Sequence, residues 1–155
     1  MISRRTFVSQ AAALGGALMA GGSLHALERA APATLTVYKS KSCGCCAKWV
    51  DHVKAAGFAT VVHDDEDMDT VKDSLGVPPG VRSCHTAQVD KYLLEGHVPA
   101  GDIQRLLKEK PKVAGLAVPG MPAGSPGMAA PGQPEVGFET LAFQLDGKTT
   151  SYAKH

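Results

Sequence analysis

The chain has 155 residues, of which 44% are hydrophobic and 20% charged, and its formal net charge is +1. These proportions are ordinary for a globular chain and exclude wholesale disorder. A nucleic-acid-binding surface needs a clear basic excess, so the near-neutral charge also excludes that class of function. All four cysteines fall between Cys43 and Cys84, and the chemistry is expected there.

Residues 1–26 have the pattern of a twin-arginine export signal. Arg4 and Arg5 precede a mildly apolar stretch that is rich in Gly and Ala and ends in small residues. The apolar part is about half of the roughly 20 residues that span a bilayer, so we expect no membrane span in the mature protein. Cleavage after Ala26 would leave residues 27–33 as a linker, and Ala31 and Ala33 offer alternative cleavage points. We therefore expect export to the periplasm, an oxidising compartment that permits disulfides.

Residues 34–155 are expected to form one domain of alternating strands and helices. Apolar alternation predicts strands, and apolar residues three or four apart predict helices. The predicted elements are a strand over 34–39, a helix from the first cysteines to Gly57, a strand over 59–62, a helix over 68–75, strands over 86–89 and 92–95, and a helix opened by Pro99. This order is that of an α/β thioredoxin-like fold, a central mixed sheet flanked by helices.

Residues 110–137 show no periodicity, and residues 119–134 contain five prolines and four glycines. A predicted hairpin follows, with strands over 138–145 and 149–152. The irregular segment is therefore not terminal, and we expect it to be a lid loop rather than a tail.

Three cysteines open the first predicted helix as Cys43-Gly44-Cys45-Cys46. Cys43 and Cys46 alone would suggest a thiol-disulfide oxidoreductase. Cys45 argues against that function, because a third thiol would scramble the disulfide, whereas a soft metal gains from every added thiolate. Copper(I) favours two or three sulfur ligands, and closely spaced cysteines can bridge several ions into a cluster. Structural disulfides are the alternative, although this spacing is poor for joining distant segments.

Cys84 lies just before the third predicted strand. In a thioredoxin-like fold that loop packs against the cysteine turn, so we predict that the Cys84 sulfur joins the other three. His85 is a candidate ligand, or it orients Cys84 by a hydrogen bond, and the alternative is an exposed loop histidine. His97 follows the fourth predicted strand, and its position is as consistent with a structural role as with a ligand.

Met121 and Met128 lie within the predicted lid loop. Thioethers are soft, uncharged ligands that suit copper(I), and the alternative is that both side chains anchor the loop by apolar packing. A zinc module on the four cysteines is a weaker option, because thioethers are poor zinc ligands. Trp49 and His52 are expected at the surface or partly in the core, and His155 in solvent.

Five short motifs occur in a fixed order along the chain. They are Tyr38-Lys39-Ser40, Cys43-Gly44-Cys45-Cys46, Arg82-Ser83-Cys84-His85-Thr86, Glu95-Gly96-His97-Val98-Pro99, and Gly115 to Pro122 continuing to Gly127-Met128. Together they resemble the CopG-type periplasmic copper-resistance family, which is thioredoxin-like and accompanies copper efflux and oxidation systems. The resemblance implies a multinuclear copper cluster. Its implied cysteine ligands are Cys43, Cys45, Cys46 and Cys84, and its implied outer ligands are His85, His97, Met121 and Met128.

We therefore expect a periplasmic protein that holds copper(I), in more than one ion, on four converging thiolates. The same ligands are compatible with cycling between Cu(I) and Cu(II), so the choice between metal binding and redox catalysis stays open. Periplasmic copper efflux or oxidation components are the expected partners. The alternative function is a thiol-disulfide oxidoreductase in which Cys43 is the nucleophile and Cys46 the resolving thiol.

Overall fold

The computed structural model describes residues 31–128 and 136–155. The predicted export signal over residues 1–26 lies outside the described residues, as do the first part of the predicted linker and residues 129–135 of the predicted lid loop. No helix of the described residues is both long enough and apolar enough to cross a bilayer.

The fold is mixed α/β, with a seven-stranded sheet and three α-helices. The elements are β1 (Thr34–Lys39), α1 (Gly44–Ala55), β2 (Ala59–Asp64), α2 (Met68–Ser74), a 3₁₀ turn (Pro79–Val81), β3 (His85–Val89), β4 (Tyr92–Gly96), α3 (Ala100–Glu109), β5 (Gly115–Val118), β6 (Glu139–Phe143) and β7 (Thr149–Lys154). The predicted strands and helices are thus found in the predicted order, and the predicted closing hairpin is formed by β6 and β7.

The sheet has the strand order β2-β1-β3-β4-β5-β6-β7. The pairs β1 with β2 and β4 with β5 are parallel, and the other pairs are antiparallel. Lys39 at the end of β1 faces His85 at the start of β3, and Gly96 at the end of β4 faces Val118 at the end of β5. The ends of β1, β4 and β5 and the start of β3 therefore lie at the same end of the sheet. The predicted site residues lie in the chain just before or after these strand ends.

Strand β5 lies inside the segment that the sequence predicts to be irregular, so the predicted bounds of the lid loop, 110–137, are wrong at the start. All four residues of β5 are buried, which is the pattern of a strand covered on both faces and leaves no alternation to detect. The irregular part begins after Val118. Residues 119–128 are called the lid segment below.

The Trp49 side chain is more deeply buried than the sequence predicts. It is fully buried in the main core, where its indole N–H donates a hydrogen bond of 2.8 Å to the Val98 carbonyl. His52 Nε2 accepts the Ala100 N–H at 3.1 Å. His155 is not in free solvent either, because its Nε2 lies 2.9 Å from Asp102 Oδ2. Each of these side chains supplies the partner that a polar group at a helix or strand end requires.

Candidate metal centre

The first three cysteines lie at the N-terminus of α1, directly after β1. Cys43 is the N-cap residue, and its N–H donates to the Ser40 carbonyl at 3.0 Å, which closes the turn between strand and helix. Cys45 and Cys46 belong to the first helical turn. Cys43 and Cys46 form a disulfide, while Cys45 and Cys84 are free thiols. The free N–H groups of a helix N-terminus favour negative charge, so thiolates formed here are stabilised.

Cys84 reaches these cysteines from the loop before β3, the strand that pairs with β1. The sulfur atoms of the four cysteines all lie within 4.8 Å of one another. Cys46 is buried and the other three are half-buried, so the group lies just below the surface. The separation between the Cys43 and Cys45 sulfur atoms is 3.6 Å. Four soft donor atoms are thus assembled from two parts of the chain.

Two histidines extend this group of sulfur atoms inwards. Ligand atoms of Cys46, Cys84, His85 and His97 also lie within 4.8 Å of one another, and both imidazoles are fully buried. Cys84 Sγ is 3.3 Å from His85 Nδ1 and 3.1 Å from His97 Nε2. The exposed loop histidine considered for position 85 is therefore excluded. His85 Nε2 has no hydrogen-bond partner among the described residues.

Burial controls the protonation of this part of the site. Burial, together with the nearby Cys45 sulfur, raises the pKa of Cys84 to about 12. Burial lowers the pKa of His97 and, with the charges of His97, Lys72 and Lys39, lowers the pKa of His85 well below its usual value. At neutral pH the cysteine is a thiol and both imidazoles are neutral, so each imidazole offers a nitrogen lone pair.

The lid segment packs against the cysteine turn and His97. Ser125 is fully buried, and its Oγ, which donates to the Pro122 carbonyl at 2.7 Å, lies 3.5 Å from His97 Nδ1. A Cβ atom at Gly127 would lie 2.7 Å from the Cys45 carbonyl oxygen. Because the Ser125 hydroxyl proton is used on Pro122, the Ser125 oxygen can accept a proton from His97 Nδ1, and that tautomer leaves Nε2 as the acceptor that faces Cys84.

The two predicted thioether ligands lie on the same segment. Met121 has a left-handed backbone conformation with φ of 49° and is 40% exposed. Met128 is half-buried and follows Gly127 directly, and its N–H donates to the Ser125 carbonyl at 2.9 Å. The backbone of Met128 therefore lies beside the cysteine turn, and the role of both methionines as ligands stays a prediction.

Sequence reasoning missed a buried ion pair behind Cys84. Lys72 of α2 and Glu95 of β4 are 3% and 0% exposed, and their side chains are in contact. Glu95 belongs to one of the five sequence motifs. A carboxylate within the apolar run Tyr-Leu-Leu-Glu-Gly is a signal that it has a buried partner. Nothing local marks Lys72 as that partner, since it lies on another element.

The donor set fits a soft metal ion. Thiolates and imidazoles together suit copper(I) and zinc, and four sulfur atoms at such mutual distances are more than one copper(I) ion requires. Cys43 and Cys46 can take part only after their disulfide is reduced, because a metal ligand must be a thiolate. The arrangement can therefore bind metal in its reduced form or exchange disulfides in its oxidised form.

Comparisons with known proteins give two solved structures and one family. The structures are titled copper resistance protein copG, form 2 and form 1; each is 40% identical to this chain and covers 80% of it, and the match covers 98% of the other chain. Their TM-scores are 0.74 and 0.73. Residues 81–128 match a family described as a protein of unknown function, DUF411. No curated protein matches. Since 40% identity extends over nearly the full length of both solved structures, the chain belongs to the CopG-type copper-resistance family.

Proposed function

We propose that this chain is a periplasmic copper-binding protein of copper resistance, exported by the signal in residues 1–26. The domain over residues 34–155 is thioredoxin-like in this proposal. The observation that carries it is the meeting of four cysteine sulfur atoms within 4.8 Å of one another. The names of its two solved relatives support copper as the metal.

Copper(I) is the cargo, and the four thiolates hold it as a multinuclear cluster. Soft thiolates select copper(I), and several ions can share the sulfur atoms of closely spaced cysteines. Loading begins when a dithiol reductant reduces the Cys43–Cys46 disulfide by thiol-disulfide exchange, so that the reductant is oxidised to its own disulfide while Cys43 and Cys46 become thiols. Each thiol then loses its proton as it binds copper, so uptake releases protons. His85 and His97 assist from the buried side, and cycling between Cu(I) and Cu(II) is compatible with this mixed set.

The lid segment has two functions in this proposal. It keeps water and oxidants away from the cluster, and it supplies Met121 and Met128 as outer ligands. Its packing against Cys45 and His97 supports the first function, because access to the cysteine turn from that side is restricted. Delivery and removal of copper would involve periplasmic efflux or oxidation components.

An anaerobic copper(I) titration of the reduced protein tests the proposal directly. We expect more than one copper ion per chain, and the Cys45→Ser variant should bind about one ion fewer, because serine keeps the size but removes the soft ligand. Ser42→Ala is the matched control, since it changes a neighbouring exposed residue and should leave the titration unchanged. A stoichiometry below one that is insensitive to Cys45→Ser would contradict the proposal.

Substitution of the two methionines distinguishes copper(I) binding from zinc binding by the same cysteines. Replacing Met121 and Met128 by Leu should weaken copper(I) binding and leave zinc binding unchanged, because thioethers are soft ligands. Met68→Leu is the control, since Met68 lies at the start of α2. Metal analysis of protein purified anaerobically from the periplasm then identifies the ion that is bound in the cell.

The Cys43–Cys46 disulfide favours a second candidate function, a thiol-disulfide oxidoreductase. In its reduced form Cys43 would attack a substrate disulfide, and Cys46 would then release the reduced substrate by closing the observed bond. This function predicts insulin-type disulfide reduction that survives Cys45→Ser and the two methionine substitutions. Copper binding instead depends on those residues, so one set of variants separates the two functions.

A further inference from the structure

A buried polar network lies directly behind Cys84. Lys72 Nζ contacts Glu95 Oε1 and donates to Thr86 Oγ1 at 2.8 Å. The Ser83 N–H donates to Glu95 Oε1 at 2.6 Å, and Thr86 Oγ1 donates to Glu95 Oε2 at 2.7 Å. One carboxylate therefore accepts hydrogen bonds from three residues, Lys72, Ser83 and Thr86.

The network holds the chain on both sides of the Cys84-His85 dipeptide. Thr86 and Glu95 are direct partners in the antiparallel register of β3 and β4, and Cys84 lies just beyond the start of β3. The side chain of Glu95 thus reaches back past His85 and Cys84 to the Ser83 N–H. His97 follows Glu95 by two residues, so β4, which carries the carboxylate, leads directly to the second imidazole.

Stability alone does not account for this arrangement. Among the described residues, Lys72 and Glu95 form the one ion pair in which both side chains are less than 10% exposed. A buried ion pair is often no more stabilising than apolar side chains of the same volume, because both charges lose their hydration. The backbone at Gly96 also lies close to the loop before β3, since a Cβ at Gly96 would lie 2.5 Å from Ser83 Oγ. The loop before β3 is therefore held tightly by polar contacts.

We infer that Glu95, with its charge balanced by Lys72, is the positioning residue that holds Cys84 at the metal centre. The carboxylate fixes the Ser83 N–H and Thr86, and the Cys84 sulfur is thereby kept beside His97 and within reach of the cysteine turn. The consequence for copper rests on the proposed function, whereas the positioning of Cys84 is a property of the metal-free protein.

The test compares two charge-neutral double variants in a Cys45→Ser background, where the closed disulfide leaves Cys84 as the single free thiol. K72M/E95Q keeps an acceptor for the Ser83 N–H, and K72M/E95L removes it. The alkylation rate of Cys84 in the metal-free protein is measured. We expect the glutamine variant to match the parent and the leucine variant to react about tenfold faster, since a lost hydrogen bond frees the loop. Equal rates in the two variants would overturn the inference.

Further variants keep the result interpretable. Ile103→Ala lowers the stability of the protein, because Ile103 is buried on α3. Under conditions where this variant is folded, the alkylation rate of Cys84 should be unchanged. A rate as high as that of K72M/E95L would overturn positioning as the cause. Ser83→Pro removes the donor N–H together with the hydroxyl and leaves Lys72 and Glu95 in place, so it should also accelerate alkylation relative to Ser83→Ala, which removes only the hydroxyl, and it replaces the leucine variant if that one does not fold.

Copper(I) affinity of the reduced proteins, with Cys45 restored, separates this inference from the proposed function. K72M/E95L should bind copper about tenfold more weakly than K72M/E95Q. A wild-type chain that binds no copper while the alkylation contrast persists contradicts the proposed function and supports the positioning role. A wild-type chain that binds copper without any alkylation contrast supports the proposed function and contradicts the positioning role.

Discussion

The Cys84 sulfur lies 3.1 Å from Nε2 of His97, and the opposite nitrogen of the same ring faces the lid segment. This single ring therefore connects a candidate metal ligand to Ser125 of the lid segment. Burial lowers the pKa of His97, so the ring is neutral at neutral pH and its two nitrogens have different roles. Nδ1 faces the Ser125 oxygen, which can accept its proton, and Nε2 then presents a lone pair to the site.

Replacing His97 should therefore weaken copper(I) binding from the buried side. We expect His97→Ala to lower the copper(I) affinity by about ten- to a hundredfold, the range for loss of a residue that holds or orients a metal ligand. His63→Ala, a change at an exposed histidine of β2, is the control and should have no effect. Competition with a copper(I) chelator measures both affinities. Equal affinities in the two variants would show that His97 has no part in the site.

Copper binding should strengthen with rising pH because of Cys84. Its pKa is raised to about 12, so between pH 6 and pH 8 the metal-free protein holds this proton and copper must displace it. Each displaced proton raises the affinity about tenfold per pH unit. The pKa values of His85 and His97 are lowered, so these rings stay neutral over most of this window.

The measurement for this prediction is the slope of log affinity against pH. In the Cys84→Ser variant we expect the slope to fall by about one, because one fewer proton is released. His97→Ala should lower the affinity without changing the slope. A slope that stays the same after Cys84→Ser would mean that Cys84 does not bind copper as a thiolate.

Trp49 should report copper binding by its fluorescence. It is the single tryptophan of the chain, and its ring centroid lies 4.3 Å from that of His85. A copper ion bound beside His85 and Cys84 would be close enough to quench the indole. We expect the emission to fall in proportion to added copper(I) and to recover when a chelator removes it. In the double variant Cys45→Ser and Cys84→Ser the quenching should be lost, and quenching that persists there would place the copper elsewhere.

The sequence was most informative where a local pattern decides the structure. The bounds of β1 could be read from six residues of alternating character, and the start of α1 from the cysteine turn before regular apolar spacing. The place of Cys84 followed from element order, because a loop that precedes β3 must reach the edge where β1 ends.

Residues that act through distant partners could not be found in this way. Strand β5 has four buried residues and hence no alternation, so it resembled the loop around it. Lys72 reads as a surface lysine of α2, and only the packing of that helix places it against Glu95. Ser125 lies in a segment without periodicity, and its burial against His97 depends on the route that the lid segment takes. Each miss is a long-range contact with no local signature.

The lid segment offers a prediction with an internal control, since two of its glycines share a backbone conformation but differ in their surroundings. Gly127 has φ of +90°, and a Cβ there would lie 2.7 Å from the Cys45 carbonyl oxygen and 3.0 Å from the backbone nitrogen of Trp49. Gly120 has φ of +75°, and a Cβ there would meet no atom within 4 Å. Alanine strains the backbone at both positions by about 1 kcal/mol, but it clashes with α1 at only one of them.

We expect Gly127→Ala to displace the lid segment from the cysteine turn while leaving the thiolates in place. Copper(I) should then bind with unchanged stoichiometry, and its loss to excess chelator should be faster than in the wild type, because the covering contacts with Cys45 and His97 are weakened. Gly120→Ala should release copper at the wild-type rate. Stopped-flow release kinetics measure both rates. If the two variants release copper equally fast, backbone strain rather than cover over the site explains the effect, and the segment does not act as a lid.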